Sequence, residues 1–372
     1  MPQKLNIVIL GLSITSSWGN GHATIYRALV RALEQRGHRV LFLERDKPWY
    51  ADNRDLPQPP HGRTALYQSL NELNDRFRHD VHEADLVIVG SYVPEGVDVG
   101  RWVLRTAAGH VGFYDIDTPI TLSKLQRGDY EYLTPDLIRQ YPLYLSFTGG
   151  PILDHLQSDF GSPMARPFYC CVDPDFYGPD PASADHPDWD LGYMGTWSQD
   201  RMPKLERLLI EPAHMAPQGR FVVAGPQYPA DYPWPVNVER IDHLPPSGHR
   251  AFYNRQRFTL NLTRQDMVTT GYAPSVRLFE AATCGTPIIS DPWPGLAEFF
   301  EPEREILLAD GPQQVLEALN TISESERRQI GERARQRVLA EHTAAHRVQE
   351  LEQYVALLRD GAGESEASRM AG

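Results

Sequence analysis

The chain has 372 residues, 41% of them hydrophobic and 23% charged, which suits two globular domains rather than a disordered segment. Its formal net charge is -13, which speaks against nucleic acid or anionic membrane as a partner, since those are gripped by clustered Lys and Arg. The three cysteines, Cys170, Cys171 and Cys284, include an adjacent pair and form neither a disulfide framework nor a spaced zinc site.

No apolar stretch approaches the ~20 residues of a spanning helix. The run Ile7 to Leu12 lacks the cationic region and cleavage site of a signal peptide, so the cytoplasm is the expected location. Residues 5–12 read as a buried strand. A helix is expected from about His22 to Arg36, with Ile25, Ala28, Leu29, Ala32 and Leu33 on one face and Gly37 closing it. Residues 39–44 are the next strand, which makes a βαβ unit and implies a parallel sheet.

The alternation continues. A helix is expected over 64–83, a strand over 84–92, a helix near 98–108 and a strand over 110–117. Residues 119–139 read as a helix broken at Gly128 and Asp129, 143–150 as a strand and 151–160 as a helix. The Asp-Pro-Asp at 173–175 reads as a turn, and the Pro- and Asp-rich stretch after residue 178 as a linker. Beyond it, strands are expected over 190–197, 220–226, 257–264, 286–291 and 304–310, with a helix over 275–285. Val348, Leu351, Val355 and Leu358 stand at helical spacing, and a small, polar tail follows. The expected fold is α/β, two doubly wound domains in series: 1–177, then 188–342, with a final helix over 343–360 and a disordered tail over 361–372.

Three stretches say more. WGNGHATIYRALVRALEQRGHRVLFLE begins at Trp18, LGYMGTWSQDRMPKLERLL at Leu191, and SVRLFEAATCGTPIISD at Ser275. They resemble, in turn, the opening unit of GT-B glycosyltransferases, the strand-loop-helix that opens their C-terminal domain, and the donor-binding helix and strand of retaining members. Together they resemble the CgeB-like spore maturation family of glycosyltransferases. The resemblance implies two Rossmann-like domains facing across a cleft, the first for the acceptor and the second for a nucleotide-sugar donor, with the C-terminal helix packing back on the first. It implies a sugar transferred to a hydroxyl-bearing acceptor. A nucleotide-sugar 2-epimerase of the same fold and a non-catalytic nucleotide-sugar-binding scaffold remain alternatives.

The resemblance also assigns roles. A donor diphosphate would rest on the N–H groups of Ser275 and Val276 at a helix N-terminus. Arg277, Arg201, Lys204 and Arg264 would supply positive charge, and Gly195 lies in the loop before Arg201. Arg264 could instead pair with Asp266. Glu280 matches the residue that takes both ribose hydroxyls. Tyr272 stands where many relatives carry a sugar-contacting Glu, which leaves sugar identity and inverting or retaining outcome open.

In the first domain, His22 follows a Gly-Asn-Gly loop and matches the base of inverting members, with Asp115 the preferred orienting carboxylate. Trp18, Asn20 and Asp117 are expected near acceptor or sugar. Trp49, Tyr50, Trp102 and Trp293 are further stacking platforms, although most aromatics are core. Asp115 and Asp117 also form an Asp-X-Asp triplet. Such triplets are common by chance and GT-B enzymes seldom need a metal, so neither metal nor cofactor is expected.

Overall fold

The computed structural model describes residues 4–180 and 187–370, with side chains described as far as residue 360. The chain forms two compact units. The first is Met1–Cys170 with Ala344–Gly372, and the second is Cys171–Thr343.

In the first unit the elements run β1 (Asn6–Gly11), α1 (His22–Gln35), β2 (Arg39–Arg45), α2 (Pro48–Ala51), β3 (Arg63–Tyr67), α3 (Leu70–Glu83) and β4 (Leu86–Gly90). There follow α4 (Gly96–Thr106), β5 (His110–Asp115), α5 (Thr118–Gln126), α6 (Pro135–Gln140), β6 (Leu143–Ser146), α7 (Ile152–Ser158) and β7 (Ala165–Pro167). Among the described residues these strands make one sheet in the order β3-β2-β1-β4-β5-β6-β7, and the pairings are parallel. Helices must then cover both faces, which is why β1 and β4 are apolar nearly throughout.

The helix expected over 64–83 is a strand and a helix. Residues Arg63–Tyr67 pair with Leu41–Arg45, and α3 starts only at Leu70. The Ser69 hydroxyl accepts from Glu72 N–H at 3.1 Å, and the Glu72 carboxylate accepts from Gln68 N–H at 2.7 Å. That reciprocal cap sets the boundary. The helix expected over 119–139 divides into α5 and α6 around Gly128, whose φ is 74°.

The C-terminal helix, Ala344–Met370, belongs to this first unit. Val348, Leu351 and Val355 are buried. Glu352 accepts from Arg36 Nε at 3.1 Å and contacts His38 Nε2 at 3.0 Å, which docks the helix beside the end of α1. The Tyr354 hydroxyl donates to Pro167 O at 3.0 Å. The helix bounds run ten residues past the expected end at 360. The side chains of the expected tail, 361–372, lie outside the described residues.

The second unit holds β8 (Trp189–Met194), β9 (Phe221–Ala224), β10 (Val238–Ile241), β11 (Gln256–Asn261), β12 (Ile288–Ser290) and β13 (Leu307–Leu308). Among the described residues they form a sheet in the order β10-β9-β8-β11-β12-β13, again with parallel pairings. The short β7 and β10 have no counterpart in the sequence reading, because a few residues carry too little periodicity to register. No described helix is long and apolar enough to cross a membrane.

The unit boundary falls at Cys170/Cys171, before the expected linker. Residues 172–180 pack within the second unit for a physical reason: Val172 bridges Thr343, the Tyr177 hydroxyl bonds Glu280, and Asp180 N–H donates to Asn254. Of the expected linker, residues 181–186 lie outside the described residues.

Candidate functional site

Each sheet reverses its strand order once, between β1 and β4 in the first unit and between β8 and β11 in the second. Open α/β sheets take ligands outside the carboxyl ends of their strands at such a point. In the second unit Arg277 ties that point together. Its Nε donates to Met194 O at the end of β8 (2.6 Å), and its Nη1 donates to Asn261 Oδ1 at the end of β11 (2.9 Å) and to Ser275 Oγ (3.3 Å). The guanidinium also stacks 5.0 Å from the Tyr193 ring centroid. These bonds from Nε and Nη1, together with the Tyr193 ring, explain how this cation is only 8% exposed.

Arg277 stands near the start of the helix Val276–Thr283, whose N-cap is Ser275. The first helical bond runs from Leu278 N–H to Ser275 O at 3.0 Å, and the N–H groups ahead of it have no helical partner. Two glycines, Gly195 after β8 and Gly225 after β9, let the chain segments beyond these strands approach closely. A Cβ on Gly225, whose φ is 143°, would meet Gly195 O at 2.1 Å. Gly195 O accepts from the Tyr228 hydroxyl at 3.2 Å.

The other candidate cations sit close by with different commitments. Arg201 bonds Ser198 Oγ (2.8 Å) and Thr196 O (2.6 Å), bracing the loop after β8. Lys204 donates to Thr263 O at 2.8 Å and to Asp291 Oδ2 at 2.6 Å. Asp291 is buried, and burial pushes its carboxyl above the ordinary value while the Lys204 ammonium opposes that rise. Arg264 stands 3.9 Å from Asp200. The alternative pairing with Asp266, which lies in the first turn of the helix that Arg264 caps, is not formed.

Glu280 differs from expectation. Its carboxylate is 3% exposed and accepts from the Tyr177 hydroxyl at 2.7 Å and the Tyr253 hydroxyl at 3.0 Å. In this structure the carboxylate is a buried staple holding residues 172–180 against the Val276–Thr283 helix. Tyr272 lies in the left-handed region with φ of 53°; its N–H donates to Pro294 O at 2.8 Å. Gly295 accommodates its ring, since a Cβ there would come within 2.5 Å.

In the first unit the loop after β1 is held from below by Glu44. That residue is 0% exposed and accepts from Ser13 Oγ (3.1 Å), Ile14 N–H (2.7 Å), Thr15 N–H (3.0 Å) and Thr15 Oγ1 (2.6 Å). Asp55 accepts from Ser17 N–H at 2.8 Å and from Arg27. The loop then passes Trp18, which is half-buried, to Asn20, whose Oδ1 accepts from Ala23 N–H at 3.2 Å and starts α1.

His22 opens α1. Its Nδ1 is buried without a partner, and burial lowers its pKa to about 4. The expected Asp115–His22 hydrogen bond is not formed. Asp115 is 0% exposed; it accepts from the Tyr144 hydroxyl (2.6 Å), Thr121 Oγ1 (2.7 Å) and Asp117 N–H (3.2 Å). Burial pushes its pKa up to about 6, against those hydrogen bonds. β5 ends at Asp115, so the chain turns before Asp117, which begins α5 and accepts from the Tyr92 hydroxyl at 3.1 Å. Tyr92 in turn packs edge-on against His22.

Sequence reasoning missed Asn261, Thr263, Asp291, Glu44 and Tyr92. The signal for Asn261 and Glu44 was a polar residue at the end of an apolar strand. Of the proposed stacking platforms, Tyr50, Trp102 and Trp293 are core, while Trp49 is 51% exposed.

Residues 201–353 match a protein-family model described as glycosyl transferase-like. No match was found among curated proteins. Solved structures resemble the chain over most of its length. Sucrose-phosphate synthase from Thermosynechococcus elongatus has a TM-score of 0.67 at 16% identity, with 96% of this chain and 100% of that chain covered. The Anabaena protein HepE in complex with UDP and glucose scores 0.69 at 14% identity, with 95% and 99% covered. An alpha-glucosyltransferase in complex with UDP scores 0.70 at 12% identity, with 95% and 100% covered. The chain therefore has the GT-B fold of two parallel-sheet units, and the glycosyl transferase-like segment, residues 201–353, spans most of the second unit and the start of the C-terminal helix.

Proposed function

We propose that the chain is a glycosyltransferase that takes a nucleoside-diphosphate sugar on its second unit and moves the sugar to a hydroxyl-bearing acceptor. The carrying observation is the strand-order reversal between β8 and β11, where Arg277 joins both strand ends to a helix N-terminus. A diphosphate suits this place, because open N–H groups, the helix dipole and Arg201 offset its charge. UDP is the first nucleotide to test, since similar structures hold UDP or UDP and glucose.

The narrower CgeB-like placement is part of the same reading and rests on the three motif stretches. So do metal-independent turnover, with helix dipole and side-chain cations opposing the diphosphate charge, and Tyr272 as a contact to the transferred sugar. His22, Trp18, Asn20 and Asp117 surround the acceptor hydroxyl in this reading. The net charge of -13 points to an acceptor other than nucleic acid.

Incubation with a panel of nucleotide sugars and acceptors, followed by NMR, tests the proposal. Glycosylated acceptor or hydrolysed donor, undiminished by chelator, is expected. Epimerised donor would favour the 2-epimerase, and tight binding with no turnover across the panel would favour the scaffold. Activity abolished by chelator and restored by manganese would overturn metal independence.

A further inference from the structure

A catalytic imidazole is ordinarily oriented by a hydrogen bond from its second nitrogen to a carboxylate or carbonyl. His22 has no such bond: its Nδ1 is buried and unpartnered, and Asp115 is committed to Tyr144, Thr121 and Asp117. What meets the imidazole is the ring of Tyr92, with centroids 5.5 Å apart and planes at 71°.

The geometry points to Tyr92 as the positioning residue for His22, doing by ring packing what a carboxylate does elsewhere by hydrogen bonding. This rests on the glycosyltransferase reading, in which His22 meets the acceptor.

Tyr92 is itself clamped. Its hydroxyl donates to Asp117 at 3.1 Å. Its ring lies 4.7 Å from that of Tyr132. The Lys124 ammonium sits 5.7 Å from the Tyr92 centroid and 5.3 Å from that of Tyr132, and Glu131 and Asp129 hold Lys124 in turn. The preceding residue is pinned to β5, with Ser91 N–H donating to Tyr114 O at 2.9 Å and Ile116 N–H donating to Ser91 Oγ at 3.1 Å. Tyr92 has φ of 62°, a conformation that an aromatic residue keeps only where its surroundings impose it. Such residues gather at functional sites, and this one stands just past β4, at the strand-order reversal of its sheet.

The charged and titratable groups around Tyr92 are Asp115 at the end of β5, Asp117 at the start of α5, Lys124 on α5, and Tyr132, Asp129 and Glu131 after it. None of them hydrogen-bonds His22. The ring therefore acts on His22 by fixing it and keeping water away, and a variant that loses the ring should release both constraints.

The test is histidine-selective NMR across pH, with the His22 signal among the 13 histidines assigned by His22→Gln. In Tyr92→Leu the His22 titration midpoint is expected to rise from about 4 toward 6.5. The kcat for transfer is expected to fall about a hundredfold, as for a misplaced catalytic group, while the KM for donor stays near that of the parent. Tyr92→Phe keeps the ring and should retain the parent midpoint and most of kcat. If Tyr92→Leu does not fold, Tyr92→Met is used, with the same direction expected. A folded ring-deleting variant with the parent's His22 midpoint overturns the proposal, as does a Tyr92→Phe that behaves like Tyr92→Leu. Should no transfer be found for the parent, the functional reading fails, and the titration still decides whether Tyr92 holds His22.

Discussion

Arg277 and Asn261 share a 2.9 Å hydrogen bond that fastens the start of a helix to the end of β11. With the bond from Arg277 to Met194 O, one side chain fixes three segments where the second sheet reverses its strand order. The residue thus serves the fold and the candidate diphosphate site together, and both roles can be tested on it.

Arg277→Met should lower stability and donor affinity together. It leaves Asn261 Oδ1 and Met194 O without their donor, and an unsatisfied buried group costs about 1–3 kcal/mol. Thermal unfolding reads the first effect, and calorimetry with UDP on the folded variant reads the second. Parent-like affinity would remove Arg277 from the donor site.

Glu280 separates a structural from a ribose-binding role. Glu280→Ala strands the Tyr253 hydroxyl and leaves the Tyr177 hydroxyl only its 3.2 Å contact with His249 Nδ1, so the melting temperature should fall, with a cost of roughly 1–3 kcal/mol for the stranded group. Tyr177→Phe removes one donor and should cost less. Glu280→Gln still offers an acceptor, and UDP affinity near the parent's is expected by calorimetry. A large loss of affinity in that folded variant would restore the ribose role.

Asp115 should make stability depend on pH. Its folded-state pKa is about 6, above the ~3.9 of an unfolded Asp. Its stabilising contribution is therefore fully present below about pH 4 and is lost as pH rises through 6. The span is on the order of 3 kcal/mol at about 1.4 kcal/mol per pKa unit. Urea unfolding between pH 4 and 7 should show the parent losing stability relative to Asp115→Asn across that window. A constant difference between the two would contradict the raised pKa.

His22 predicts the shape of the rate profile. Because its pKa is lowered to about 4, the imidazole stays neutral through pH 5. The acid limb of kcat/KM attributable to it should lie near 4, well below the 6.5 of a free imidazole. His22→Ala should lower turnover by about 10²–10⁴-fold if it acts as a base. Asp115→Asn should not reproduce that loss, since Asp115 makes no hydrogen bond to His22.

The sequence by itself determined the alternation of apolar strands with amphipathic helices, and hence two parallel sheets. Its local chemistry placed α1 and the Val276–Thr283 helix to within a few residues, because a strand's apolar run and a helix's period are written in neighbouring residues. It also brought Arg201, Lys204, Ser275 and Arg277 forward as one donor group. Tertiary structure decided what those side chains touch. Glu280 became a staple because Tyr177 and Tyr253, distant in sequence, both deliver hydroxyls to it. Asp115 was taken up by Tyr144 from the neighbouring strand, which left His22 to the ring of Tyr92. Segment 172–180 joined the second unit through partners up to 171 residues away, from Val172 to Thr343. Such assignments depend on which polar groups meet in a water-poor interior, where each must find a partner, and no local pattern records that meeting.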